Sequence, residues 1–207
     1  MISEVSEKWN LVDWPKNLRD GYDFPLTTPI GPGYHNVINA FWYGSLTALD
    51  EIYQILGKTP ITGYIQKVKN SFFNTFYCEK ELLFCDSAKG SSAPHFAIHS
   101  NVLPLLFGMA DENEKLKSSI VSLIEKKALT SMGVYMAYFT LAALKVNGYD
   151  ELCIKLATDE GCWLNMLRQG GTTTFEAWGV EQKWNTSLFH PWACAPVIIF
   201  AKDTLPY

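Results

Sequence analysis

Helical segments of two kinds alternate along this chain, and the alternation limits the folds that it can adopt. Residues 36–56 (NVINAFWYGSLTALDEIYQIL) and 132–146 (MGVYMAYFTLAALKV) carry apolar side chains on nearly every face, which is typical of a helix buried on all sides. Residues 61–76 and 116–124 are apolar on one side only, with repeats at intervals of three and four. The pattern predicts inner helices that are covered by outer helices.

Three further segments bring the prediction to about seven helices, at residues 96–107, 149–158 and 192–201. Long loops rich in Gly, Pro and aromatic residues precede the inner helices, whereas short links such as GKTP and ADEN lead to the outer ones. We therefore predict an all-α fold, an α/α toroid of helical hairpins, in a single domain over residues 1–207. If the inner helices run parallel, the long loops meet on one rim, where a binding site is expected.

Charge and composition exclude several classes of partner. With 17 basic and 21 acidic residues the net charge is −4, so the chain has no excess of positive charge to bind the phosphates of a nucleic acid. The chain starts without a basic stretch that leads into an apolar run, and no segment reaches the ~18 apolar residues of a membrane span. We therefore expect no nucleic acid and no membrane as partner, and a soluble protein that is cytoplasmic by default.

The pattern of cysteines and histidines predicts neither a metal site nor a cofactor. Five cysteines form no CxxC pair, so free buried thiols are expected rather than a zinc ribbon or a disulfide framework. His95 and His99 have the i, i+4 spacing of a zinc-binding helix, but no glutamate lies between them and no third ligand is evident. We interpret the two histidines as a structural pair.

The predicted rim is rich in residues that suit a sugar. Indole and phenol rings stack on the C–H faces of pyranoses, while carboxylate, amide and guanidinium groups bind hydroxyls. The candidates are Trp14, Tyr22, Trp178, Trp184 and Trp192 of the first kind, and Asp13, Arg19, Asp20, Asp23, Glu176, Asn185 and His190 of the second. The alternative is that the tryptophans separate helices and the charges pair on the surface, and composition favours neither interpretation.

Glu176 is the best candidate for a catalytic group. It stands in the stretch GGTTTFEAW, after three threonines and before Ala-Trp, in a Gly-flanked segment that we expect to be extended. Hydroxyl donors and an indole nearby are the surroundings of a carboxylate that activates a water molecule.

Five stretches, in this order, resemble the carboxy-terminal half of the catalytic domain of bacterial α-L-rhamnosidases, glycoside hydrolase family 78. They are EKWNLVDWP with RDGYDF, HNVINAFWYGSL, HFAIHSNVLPLLFGMA, CWLNMLRQGGTTTFEAW and KWNTSLFHPWACAP. The resemblance implies an (α/α)6 barrel and inverting hydrolysis of terminal α-L-rhamnosyl bonds, with Glu176 as general base. It implies that His190 contacts a sugar hydroxyl and that Trp14 is a sugar platform. The further substrate-binding candidates are Asp13, Arg19, Asp20, Trp178 and Trp192.

The chain departs from the family pattern at three places. Pro191 follows His190 where alanine is frequent, and Gly179 follows Glu-Ala-Trp where an acidic residue is common. An inverting glycosidase also needs a second carboxylic acid, about 6.5–9.5 Å from the base, to protonate the leaving oxygen. The family carries this acid in the first half of the barrel, and nothing in residues 1–9 resembles that segment. We therefore expect an incomplete (α/α)6 barrel that is inactive as an isolated chain.

Two functions compete at this point. One is an α-L-rhamnosidase whose missing half is supplied elsewhere, acting on a rhamnose-containing glycan or glycoside. The other is a non-catalytic helical remnant that binds carbohydrate or only self-assembles, while a terpene-cyclase-like toroid is remote because no DDxxD cluster is present. In either case the flanks of the first and last inner helices are expected to be open. A homo-oligomer, or a chain that supplies the missing half-barrel, is the predicted partner.

Overall fold

A computed structural model describes residues 13, 16–22, 35–87 and 94–204, and this part of the chain is mostly helical. Its eight α-helices are α1 (Asn36–Ile55), α2 (Thr62–Phe76), α3 (His99–Leu106), α4 (Glu114–Lys127), α5 (Val134–Val146), α6 (Asp150–Ala157), α7 (Trp163–Arg168) and α8 (Ala195–Thr204). Between α2 and α3 a short antiparallel hairpin pairs β1 (Tyr77–Cys78) with β2 (Leu83–Phe84). The prediction of an all-α fold is confirmed.

All seven predicted helices are present, with shifted ends, and α7 is additional. Its six residues are too few to show a helical repeat, so the sequence pattern missed it. The start of α3 is three residues later than expected because Asp86 binds the preceding segment. One carboxylate oxygen of Asp86 accepts hydrogen bonds from the backbone N–H of Ala97 (2.8 Å) and from Oγ of Ser100 (2.6 Å), which keeps the chain before His99 out of the helix.

The described residues divide into two compact units, one of residues 22–120 and one of residues 13–21 and 121–204. In the first unit α1 packs against α2 and α3. The turn from α1 to α2 is held by Asp50, whose carboxylate accepts hydrogen bonds from Ile61 N (2.5 Å) and Thr62 Oγ1 (3.2 Å) at the start of α2. That residues 1–207 form a single domain stays a prediction.

The helices of the first unit differ in burial much as the sequence pattern indicates. Every residue from His99 to Leu105 in α3 is buried, whereas α2 buries one face through Val68, Phe72 and Phe76. The first helix, α1, departs from the prediction of burial on all sides. One side is buried, and the other exposes apolar side chains such as Trp42, which is 42% exposed.

In the second unit α5 packs against α6, α8 and a 3-10 helix, Pro191–Ala193. Asp13 joins this unit by accepting a 2.9 Å hydrogen bond from the backbone N–H of Gly133. All five cysteines are free. Among the helices in the described ranges, none combines the length and the apolar character needed to cross a bilayer.

Candidate active site

Glu176 lies in an extended segment that pairs with the chain around His190. The backbone N–H of Glu176 donates to the carbonyl of Ser187 at 2.9 Å, and that of His190 donates to the carbonyl of Thr174 at 2.8 Å. The Thr174 hydroxyl donates back to the carbonyl of His190 at 2.7 Å. Two motifs that are more than ten residues apart therefore form one backbone-paired element, with Glu176 and His190 both on it.

The two glycines before the threonines set the direction of this segment. Gly170 has a φ of +78° and ends α7 as its left-handed cap, with its N–H bonded to the carbonyl of Leu167. Gly171 N–H bonds to the carbonyl of Met166, and a Cβ at Gly171 would lie only 2.8 Å from the Phe175 ring. The Gly-Gly pair thus allows the chain to turn back and place Phe175 against the end of α7.

The carboxylate of Glu176 is held by one of its two oxygens. Oε2 accepts hydrogen bonds from Nζ of Lys183 at 2.5 Å and from the backbone N–H of Ser187 at 3.1 Å. Within the described part of the chain, Oε1 has no hydrogen-bond partner. The side chain of Glu176 is 23% exposed and that of Lys183 is 12% exposed. The carboxylate is therefore fixed in orientation while one oxygen remains able to accept a proton.

The same contacts keep Glu176 ionised. The hydrogen bond from Lys183 is the largest cause that holds the pKa of Glu176 below its usual range, against the opposing effect of burial. The backbone N–H of Ser187 and the charges of Lys183 and His190 lower this pKa further. A group with this pKa suits a general base that is deprotonated at neutral pH, and does not suit a general acid.

Trp178 supports the site from inside the protein. It is fully buried, its Nε1 donates to the carbonyl of Met132 at 2.7 Å, and its ring packs edge-to-face on Trp163. Asn165 donates a 2.8 Å hydrogen bond to the carbonyl of Trp178. In this conformation the indole has no exposed face for a sugar, so the burial favours a structural role for Trp178.

The charged residues near the N-terminus are also engaged by the protein. Asp13 is buried against the backbone of Gly133, and buried Arg19 forms a β-bridge with Met132. Asp20 is ion-paired with Lys127 at 2.6 Å, and its side chain is only 7% exposed. These contacts attach Asp13, Arg19 and Asp20 to the end of α4 and to the residues just before α5. Trp14 and Asp23 lie outside the described residues.

No second carboxylate is among the hydrogen-bond and ion-pair partners of Glu176 in the described ranges. Asp20 is paired with Lys127. Asp86 belongs to the first unit, where it binds Ala97, Ser100 and His95.

Three exposed aromatic side chains lie on the segments that follow Glu176. Trp184 is 94% exposed, Phe189 is 74% exposed and Trp192 is 68% exposed. His190 contacts Trp192, with ring centroids 5.6 Å apart. The structure therefore brings together Glu176, His190 and Trp192 of the predicted set.

Sequence reasoning missed two residues of this region. Lys183 is seven residues after Glu176 in a stretch with no regular repeat. The only indication of their contact in the sequence is a positive charge a few residues from a carboxylate. Tyr135 was interpreted as part of a helix buried on all sides, but it is 46% exposed and contacts Trp192 with ring centroids 5.5 Å apart.

Comparison with known proteins assigns the chain to a family. The family model of the bacterial alpha-L-rhamnosidase 6 hairpin glycosidase domain matches residues 2–203, which is nearly the whole chain. No curated protein matches the chain at a significant level.

Proposed function

Because the chain belongs to the family of bacterial α-L-rhamnosidase six-hairpin glycosidase domains, we propose that it takes part in inverting hydrolysis of terminal α-L-rhamnosyl bonds. Glu176 is the general base in this proposal. It removes a proton from the water molecule that attacks the anomeric carbon, while a separate acid protonates the leaving oxygen. His190 binds a hydroxyl of the rhamnosyl unit.

The carboxylate of Glu176 carries the proposal. One oxygen is bound by Lys183 and Ser187, and the other has no hydrogen-bond partner among the described residues. A water molecule that donates to Oε1 would lose its proton to a carboxylate whose orientation is already fixed, so little reorganisation is needed in the transition state.

The acid that completes the reaction is proposed to come from outside the described residues, from a chain that supplies the other half-barrel. Without it the isolated chain is expected to show no turnover of an ordinary aryl α-L-rhamnoside, because leaving-group protonation contributes roughly 10²–10⁴ in rate.

The test compares leaving groups on the isolated chain. 2,4-Dinitrophenolate leaves its α-L-rhamnoside without being protonated, so hydrolysis of this substrate requires the general base alone. Hydrolysis of methyl α-L-rhamnoside requires both the general base and the general acid. We expect measurable hydrolysis of the first and none of the second, with loss of the activity in Glu176→Gln. The matched control is Glu151→Gln, which changes an exposed glutamate on α6. Equal activity of Glu176→Gln and Glu151→Gln would contradict the role of Glu176.

A non-catalytic carbohydrate-binding protein is the second candidate. The observation that favours it is the 2.5 Å ion pair between Lys183 and Glu176. The positive charge of Lys183 compensates the negative charge of the ionised carboxylate, on a segment that also carries exposed aromatic rings. Under this alternative the chain binds rhamnosides, dinitrophenyl rhamnoside is not hydrolysed, and Glu176→Gln changes neither property.

A further inference from the structure

Two aromatic rings of the second unit are exposed and yet fixed in place. Tyr135, at the start of α5, is 46% exposed, and Trp192, in the 3-10 helix Pro191–Ala193, is 68% exposed. Their ring centroids are 5.5 Å apart and the rings are tilted by 48°. The two rings are called the aromatic pair below.

The backbone beneath Trp192 is anchored on both sides. Nε1 of Trp163 donates to the carbonyl of Ala193 at 2.5 Å, and Ala193 itself is buried. On the other side, His190 is joined to Thr174 by two hydrogen bonds. Pro191 occupies the first position of the 3-10 helix, where its fixed φ fits. The exposed indole is thus held by a rigid backbone instead of a free loop.

The ring of Tyr135 is also positioned by its neighbours. It packs edge-on against Phe139, one helical turn later, with centroids 5.3 Å apart and an interplanar angle of 75°. Since α5 packs directly on the 3-10 helix that carries Trp192, the aromatic pair belongs to one packed element of the second unit. Aromatic faces fixed in this way lose little conformational entropy when a ring stacks on them.

The aromatic pair is connected to the catalytic candidate through His190. The imidazole of His190 lies 5.6 Å from the Trp192 ring, centroid to centroid. The backbone of His190 is hydrogen-bonded to Thr174, two residues before Glu176. His190 therefore links the segment that carries Glu176 to the aromatic pair.

We propose that Tyr135 and Trp192 form a second sugar-binding subsite, which takes the pyranose ring next to the rhamnosyl unit held at Glu176. This proposal rests on the proposed function in one respect. When a terminal rhamnosyl unit is cleaved, the adjoining sugar ring is the leaving group. The C–H face of that ring stacks on the indole or the phenol, while its hydroxyls remain in water. The pair thereby selects rhamnosides of sugars over rhamnosides with small leaving groups.

Binding measurements test the subsite without requiring chemistry. Isothermal titration with methyl α-L-rhamnoside and with a rhamnosyl-glucose disaccharide is carried out on the wild type and on Glu176→Gln. We expect the disaccharide to bind about five- to ten-fold more tightly than the methyl glycoside in both proteins, as one stacked ring provides. Trp192→Ala and Tyr135→Ala should remove this difference, and Tyr135→Phe should retain it because the ring remains.

The matched control is Tyr64→Ala, which removes an exposed phenol ring on α2 that belongs to neither the aromatic pair nor the candidate site. It should leave the preference for the disaccharide unchanged. Equal affinities for the two ligands in the wild type, or a preference that survives both alanine variants, overturns the subsite. If the wild type does not hydrolyse 2,4-dinitrophenyl α-L-rhamnoside but keeps the binding preference, the result counts against the proposed function and leaves the subsite supported.

Discussion

Nε1 of Trp178 donates a 2.7 Å hydrogen bond to the carbonyl of Met132, which connects the segment of Glu176 to the chain two residues before the start of α5. The bond is buried, so its loss leaves a carbonyl without a donor in the core. We expect Trp178→Phe, which keeps an aromatic ring next to Trp163, to lower the free energy of unfolding by about 1–3 kcal/mol. Urea unfolding measures this as a lower midpoint at an unchanged slope.

The control for this substitution is Trp184→Phe on the exposed turn, which should change the free energy of unfolding by less than about 0.5 kcal/mol. If the two variants unfold at the same urea concentration, the indole hydrogen bond of Trp178 does not stabilise the protein.

Lys183→Met should raise the pKa of Glu176, because it removes the hydrogen bond and the charge that hold this pKa low. Carbon-13 NMR of the glutamate carboxyl groups follows the titration directly, with Glu176→Gln to assign the signal. Lys183→Arg keeps the positive charge and serves as the matched control, with a pKa for Glu176 that stays below its ordinary value of 4.5. Identical titration curves for the Met and Arg variants would show that Lys183 does not act on Glu176.

The same pair contributes to acid stability with a defined sign. A carboxyl group whose folded pKa is depressed stabilises the fold above its unfolded pKa, and this contribution disappears as the pH falls through the folded pKa. The loss therefore begins near pH 4.5, the ordinary value for Glu176, and continues below it. In Lys183→Met this part of the acid dependence is reduced.

The sequence predicted the positions of the helices better than it predicted which of their faces are buried. Val68, Phe72 and Phe76 of α2 repeat at helical spacing and are buried together, because the period of one helix is a local property that the chain itself contains. The burial of α1 depends on what packs beside it. Its apolar residues therefore include both buried Leu46 and exposed Ile52, which composition does not distinguish.

The candidate site was predictable only at its centre. Glu176 was identified by the family motif, but Lys183 binds it across an irregular turn that has no repeat to reveal a contact. Trp178 has the residue type of a sugar platform, and its burial follows from a hydrogen bond to Met132, 46 positions away. Contacts of this length depend on the packed unit, so residue type alone did not separate buried Trp178 from exposed Trp192.

His35 should make the protein less stable in mild acid. It is completely buried, its Nδ1 is hydrogen-bonded to the Tyr22 hydroxyl, and burial lowers its pKa from 6.5 to about 4. Between these values the unfolded chain takes up a proton that the folded chain does not, so stability falls as the pH falls. The slope is about 1.4 kcal/mol per pH unit over that window.

Urea unfolding of the wild type and of His35→Gln at pH 7, 6, 5 and 4.5 measures this contribution. Glutamine retains an acceptor for the Tyr22 hydroxyl but does not titrate. We expect the difference in free energy of unfolding between the two proteins to shift in favour of the variant as the pH falls. A constant difference over this range would mean that His35 is not held neutral by burial.

The last prediction concerns the exposed side of α1. Ile38, Trp42, Ser45, Leu49 and Ile52 follow one another at intervals of four and three, and the four apolar members are 37–50% exposed. This spacing averages 3.5 residues, which is the repeat of a seam between two helices. The row carries no charge, so a second copy of the chain meets no repulsion there. We therefore expect a homo-oligomer in which α1 is covered by an apolar helix of another copy.

Sedimentation velocity at micromolar concentration tests this expectation with Trp42→Glu, which places a charge in the centre of the row. If the interface exceeds about 1,000 Å², a buried charge at its centre should weaken association at least ten-fold. Val197→Glu on α8, where Val197 is 69% exposed, distinguishes the partner helix: it weakens association if α1 meets α8 of the other copy, and has no effect if α1 meets α1. Ile154→Glu on α6 is the control, since Ile154 is 53% exposed and belongs to neither α1 nor α8. A wild type that sediments as a monomer, or an equal loss of association in Ile154→Glu, would mean that the exposed side of α1 is not an interface between copies.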